Sequence, residues 1–220
     1  MHAYRFLCSV TFVAATLSAQ SGGWPLDSLK GIEPVNVKAE VATYRGKQAV
    51  HVQDKPGPSA NGGIAILSDS DFGDGVIEVD VAGAPGAGAA EAARGFVGLA
   101  FRLQDASHYE CFYLRPTNGR ANDQLRRNHS VQYHAEPDYP WQRLRNETPG
   151  VYETYADLVP AEWTKMRIEV SGAQAKLFVN GATQPTLIVN DLKHGKTKGK
   201  IALWMGPGTD AYFSNVVVKK

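Results

Sequence analysis

Gly95-Phe96-Val97-Gly98-Leu99-Ala100-Phe101-Arg102-Leu103 and, after a short polar turn, His108-Tyr109-Glu110-Cys111-Phe112-Tyr113-Leu114-Arg115 read as two successive β-strands. β-Branched and aromatic residues dominate both, and side chains alternate between faces with a period of two. In the first strand Val97, Leu99, Phe101 and Leu103 fall on one face, with Gly98, Ala100 and Arg102 on the other. In the second, Phe112 and Leu114 mark the core side, which they share with His108 and Glu110. Tyr109, Cys111, Tyr113 and Arg115 then turn outward.

The same texture extends in both directions. Strands are expected near Val35–Thr43, Gln48–Gln53, Gly63–Leu67, Val76–Ala82, Ser130–His134, Trp163–Ser171, Ala175–Asn180, Lys200–Met205 and Tyr212–Lys219. Turn formers punctuate them at Asp74-Gly75, Ser171-Gly172, Asn180-Gly181 and Gly206-Pro207-Gly208. No stretch keeps an apolar 3.6-residue period over ten residues, and the alanine-rich Ala87–Ala93 reads as a loop with at most one helical turn. Many short strands with regular turns make an all-β antiparallel sandwich or barrel. No repeat or linker divides the chain, so residues 20–220 are expected to form one domain. Pro116–Asn128 and Ala135–Pro160 are long, polar, arginine-rich loops that also carry Tyr139, Trp141, Tyr152 and Tyr155. Loops of that length are usually functional or disordered, and the aromatic content argues against disorder.

The N-terminus sets the compartment. Arg5 precedes an apolar run from Phe6 to Leu17, and small residues follow at Ser18, Ala19 and Ser21. This is the pattern of a secretory signal peptide over residues 1–19, too short to span a bilayer as a helix. Secreted or periplasmic localisation is expected, without membrane insertion. Cys8 would leave with the leader, so Cys111 stands alone and no internal disulfide is expected. The chain has 23 basic and 22 acidic residues; losing Arg5 brings them into balance, which argues against nucleic acid as a partner.

Alternation also gathers the candidate ligand-binding residues. If the strands holding them are neighbours, Arg102, Tyr109, Tyr113, Arg115, Gln132 and His134 line one outer sheet face. Flat rings beside forked polar groups suit sugars, since rings stack on C–H faces and planar donors bind hydroxyls. An ordinary solvated face is the alternative. Arg115–Arg145 holds six arginines, which either recognise an anion or hydroxyls or else pair internally with Glu147, Glu153 or Asp157. Arg126 precedes a strand over which it could reach, and Trp141 serves as a sugar platform or a loop anchor.

The two opening strands, together with Trp163–Val170, the hairpin ending Phe178-Val179-Asn180-Gly181, Ile201–Trp204 and Tyr212–Asn215, resemble the concanavalin A-like lectin/glucanase superfamily. Within it the chain is most similar to the bacterial 3-keto-disaccharide hydrolase domains, often labelled family 16 glycoside hydrolase-like. The resemblance runs from about Val35 to the end and implies a two-sheet antiparallel jelly roll whose concave face meets glycan. True family 16 glucanases place three acids on one strand; Glu78 and Asp80 supply two, but Ala82 or Gly83 stands at the third. A retaining mechanism needs two carboxyls flanking the scissile bond, so Glu78 and Asp80 read as the polar side of an ordinary strand. The 3-keto-sugar reading instead needs one base and a group that stabilises an oxyanion. His129, His134, Glu153 and Glu110 are the candidate bases, with Arg115 or Arg126 polarising the ketone. No His/Asp/Glu spacing signals a metal site and no cofactor is expected, although related jelly rolls often carry structural calcium.

The function expected from these residues is carbohydrate binding on the concave face by an exported jelly roll. The alternatives are cleavage of 3-keto-disaccharides or related glycosides, and an adhesive module with a protein partner. The sequence leaves open which sugar it would be, whether calcium is bound, and the oligomeric state.

Overall fold

A computed structural model describes residues 21–55 and 62–220. The expected leader lies outside these residues. The chain opens with β1 (Ser21–Trp24), β2 (Ile32–Val35), β3 (Val37–Tyr44), β4 (Lys47–Asp54) and β5 (Gly63–Phe72). Next come β6 (Gly75–Pro85), β7 (Val97–Asp105) and β8 (His108–Leu114), then two short helices, α1 (Pro116–Gly119) and α2 (Gln124–Asn128). β9 (Val131–Glu136), helix α3 (Trp141–Glu147) and the two-residue β10 (Glu153–Thr154) complete the middle. The last third holds β11 (Thr164–Ser171), β12 (Gln174–Val179), β13 (Leu187–Val189), β14 (Gly199–Met205) and β15 (Thr209–Lys219).

Two antiparallel sheets form the expected sandwich. One runs β13-β12-β11-β6-β15-β4-β3, with β1 also on β15; the other runs β10-β9-β8-β7-β14-β5-β2. All eleven expected strands are present within a few residues of their expected ends. β1, β2, β10, β13 and the three short helices were not expected, and Ala87–Ala93 is a loop, as read.

The core lies where alternation put it except at Leu103, which the bulge after Phe101 turns to the other face. Val97, Leu99 and Phe101 of β7, Phe112 and Leu114 of β8, and Val131, Tyr133 and Ala135 of β9 meet Ile77, Val79, Val81, Met166, Ile168 and Phe213 of the facing sheet. Phe101 stacks on Phe112 with centroids 6.1 Å apart, and Phe72 meets Phe101 edge-on at 6.3 Å. Such ring pairs add to area burial.

The other face of the second sheet is also largely covered. Ile64, Ala100, Cys111, Ala202, Tyr109 and Tyr113 pack there with Phe96 and Trp204. Gly98 explains the close packing of the rings. It is paired with Tyr113 on one side and Trp204 on the other, and an added Cβ would come within 2.6 Å of the Tyr113 Cα. With no side chain at Gly98, the Tyr113 and Trp204 rings approach to 4.7 Å.

Two expectations need correction. Arg102 does not share this face. Its φ is +52° and the β7–β8 register shifts between Phe101 and Asp105, so the bulge breaks the alternation. Its buried guanidinium donates to the carbonyls of Gly73 (3.0 Å), Gly195 (2.6 Å) and Gly172 (2.8 Å) and to Asp74 (2.8 Å). Glu110 is likewise removed from the candidate bases. It is buried on the core side, where it accepts from the Tyr133 hydroxyl and from the His194 N–H at 2.9 Å.

Candidate functional site

β8 and β9 place the polar groups of the concave face, and α2, α3 and β10 close over one end of it. Tyr109, Tyr113, Arg115, Arg126, His129, His134, Trp141, Arg145 and Trp204 line a groove of about 1580 Å³. Tyr109, Tyr113, Gln132 and His134 thus do lie on one sheet face, with Arg115 just beyond the end of β8.

The end of the groove under α3 is built around His129. α2 starts where the Asp123 side chain accepts the Arg126 N–H at 2.7 Å, and it ends at His129. The two-residue strand β10 pairs Glu153 with Gln132, which brings the Glu153 carboxylate against the imidazole, Nε2 to Oε1 at 3.1 Å. Arg145 of α3 grips the same carboxylate, Nη2 to Oε2 at 2.6 Å and Nε to Oε1 at 3.1 Å. Trp141, one helical turn earlier, is flanked by two guanidiniums, with Arg145 at 4.6 Å and Arg115 at 5.3 Å from its ring centre.

Arg115 is 4% exposed. It donates to the His129 carbonyl at 3.0 Å and to the Tyr113 hydroxyl at 2.5 Å, which occupies two of its five N–H donors. Burial pushes the Tyr113 phenol up to about 12, so it stays a neutral donor and acceptor. Partial burial lowers the His129 imidazole below its ordinary value, against the pull of Glu153, and the positive charges of Arg145 and Arg115 lower it too. The Glu153 carboxylate therefore lies beside the ring as a charged neighbour, and the shift favours the neutral imidazole.

His134 sits farther along the floor. Tyr113 at 5.4 Å, Trp204 at 5.4 Å and Tyr109 at 5.9 Å all meet its ring at steep angles. Nδ1 is 3.1 Å from Glu136 Oε1, while the buried Nε2 has no protein partner. Nearly all buried polar atoms are satisfied, so this unpartnered Nε2 is an exception within the packed ring cluster of the floor.

Two predicted site residues play supporting parts. Gln132 is fully buried and spends its amide on the carbonyls of Tyr133 and Tyr152, with Oε1 3.4 Å from Arg145. Glu153 is occupied by Arg145 and His129 and orients both. Trp204, Arg145 and Asn118 were not singled out from the sequence. Asn118 is buried at the groove wall with Oδ1 unpartnered. Internal pairing claims half of the six arginines: Arg120–Asp157 at 2.7 Å, Arg143–Glu147 at 2.8 Å and Arg145–Glu153. Glu78 and Asp80 are on β6 of the opposite sheet, paired with Lys219 at 2.8 Å and Lys47 at 2.7 Å. No group of three or more potential metal ligands occurs among the described residues.

Solved structures share this fold. The carbohydrate binding module CBM66 from Bacillus subtilis aligns over 84% of this chain and 93% of its own, with 15% identity and a TM-score of 0.59. A Bacillus licheniformis beta-glucanase covers 91% and 98%, at 15% identity and a TM-score of 0.52. A Bacillus subtilis protein described as having a galectin-like fold covers 92% and 98%, at 12% identity and a TM-score of 0.56. No curated protein matches the sequence. A family profile, by contrast, matches residues 24–219, nearly the whole of the described chain. The chain belongs to the 3-keto-alpha-glucoside-1,2-lyase-like domain family.

Proposed function

We propose that this protein binds a 3-keto-glycoside in the concave groove and cleaves it by elimination across C1 and C2. The observation that carries this reading is His129 set beside the Glu153–Arg145 pair and next to Arg115, whose side chain makes only two hydrogen bonds among the described residues. A ketone at C3 acidifies the C2 proton. His129 Nδ1 takes that proton, and the electron pair moves into a C2–C3 enolate whose oxygen is stabilised by the Arg115 N–H groups. As the carbonyl re-forms, a C1–C2 double bond is made and the C1–O bond breaks. The departing alkoxide recovers a proton from the imidazolium. The products are an unsaturated 3-keto sugar and an alcohol, with no change in oxidation state. Family membership supports the same chemistry.

The test is incubation with 3-keto-disaccharides and the corresponding native disaccharides, followed by ultraviolet absorbance of the conjugated enone. Turnover is expected only with the keto sugars, and the Glu78→Gln/Asp80→Asn double variant is expected to match wild type. Binding without turnover of any keto sugar would leave a glycan-binding module. Loss of activity in the folded double variant would return the chemistry to the opposite sheet.

The floor rings carry the binding itself. Trp204 is partly exposed and packs against both Tyr113 and His134. Trp204→Ala is expected to cost about 2 kcal/mol of ligand affinity, as aromatic anchors do, a more than tenfold rise in Kd. Calorimetry measures it; an unchanged Kd in a folded variant would move the ligand off this floor.

Export belongs to the same proposal. It is supported by the Arg5-led apolar leader, and no described helix is long and apolar enough to cross a membrane. N-terminal sequencing of the protein recovered outside the cytoplasm should begin at Gln20; an intact Met1 there would refute processing.

A further inference from the structure

We propose that the α3 end of the groove takes an anionic group, a carboxylate or a sulfate ester, carried by the sugar ligand. This rests on the carbohydrate reading above and narrows it to acidic saccharides. Arg120, Arg143 and Arg145 each have a carboxylate partner, and Arg127 stacks on and donates to Tyr155. Arg94, Arg115 and Arg126 all line the groove, and none has a carboxylate within 4.0 Å among the described residues.

Their situations differ in an informative way. Arg115 is buried, and a buried cation normally comes paired. The nearest candidate, Glu153, is already committed to Arg145 and His129. Arg94 donates only to the backbone carbonyls of Glu91 and Ala93. Arg126 makes no side-chain hydrogen bond within the described residues, and its positive charge is close enough to Arg94 to depress that group, after burial. Like charges facing one another across a groove cost free energy unless an anion joins them. Forked guanidiniums fit planar carboxylate and sulfate oxygens with paired hydrogen bonds. Glu40, Asp54 and Asp210, which also line the groove, belong to β3, β4 and β15 of the other sheet, not to α2 or α3.

The experiment compares isothermal titration of the mature protein with glucuronate-, galacturonate- and sulfate-bearing disaccharides against the same sugars methyl-esterified or desulfated. The acidic forms are expected to bind about tenfold or more tightly than their neutral partners, as charge-assisted pairs allow. The gap should narrow as NaCl rises. Comparing the uronate and sulfate arms identifies which anion is preferred. The gap is expected to vanish in Arg94→Ala/Arg126→Ala, a double variant that spares the buried Arg115. Equal binding of charged and neutral forms overturns the proposal while leaving the carbohydrate groove standing, as does a preference that survives the double variant. Absence of binding to every saccharide, acidic or neutral, removes both.

Discussion

Replacing His129 with glutamine is expected to lower turnover of a 3-keto-disaccharide by about 10²–10⁴-fold, the usual contribution of a general base. The ligand should still bind with near wild-type affinity. The expectation follows from how the imidazole is held. Glu153 lies 3.1 Å from Nε2, while partial burial and two neighbouring guanidiniums favour the neutral ring. The pH profile gives an independent reading. Activity requires the unprotonated ring, so kcat/KM should rise with pH through a midpoint below the ordinary 6.5 and stay level above it. Glu153 is the neighbour that favours the charged ring, so Glu153→Gln should shift the midpoint lower still. A buried structural pair would leave the profile untouched. Full turnover in a folded His129→Gln variant, or a midpoint above 6.5, would exclude His129 as the base.

The strand pattern was legible because burial on one face imposes a period of two, and β3–β9, β11, β12, β14 and β15 all follow it. The same rule placed Tyr109, Tyr113, Gln132 and His134 together. It failed at Arg102 for a local reason, since a bulge with φ at +52° turns the side chain off the face and leaves no mark in a single sequence. Trp204 escaped notice because its place beside Tyr113 depends on β14 pairing with β7, a long-range register that periodicity does not encode. β10 and β13, at two and three residues, are too short to show a period. α3, at seven residues, gives less than two full turns of apolar pattern. The Asp123 cap of α2 was a signal present in the sequence. The arginine-rich loops could be read as anion-binding or self-paired, and the structure divides them between the two according to which carboxylates reach them.

Arg102→Ala is expected to destabilise the fold by about 3–5 kcal/mol, the cost of breaking a buried charged network. For a domain of this size that lowers Tm by roughly 10 °C. One guanidinium ties together three separate loops through the carbonyls of Gly73, Gly172 and Gly195. Asp74 completes the arrangement and also accepts the Gly172 N–H at 3.0 Å. The Asp74 side chain is 47% exposed, so its ion pair is screened and adds little. Most of the loss comes from the carbonyl acceptors, and because water can reach the loops the lower end of the range is expected. Arg102→Lys keeps the charge but cannot span three acceptors with one ammonium, so it should fall between the two. Urea unfolding measures both. The folded fraction of either variant should bind ligand like wild type, because the groove lies on the other side of the sheet. Wild-type stability with weakened binding would reverse this assignment and return Arg102 to the concave face; reduced stability with intact binding fixes it as the residue that ties the loops at the closed end of the sandwich.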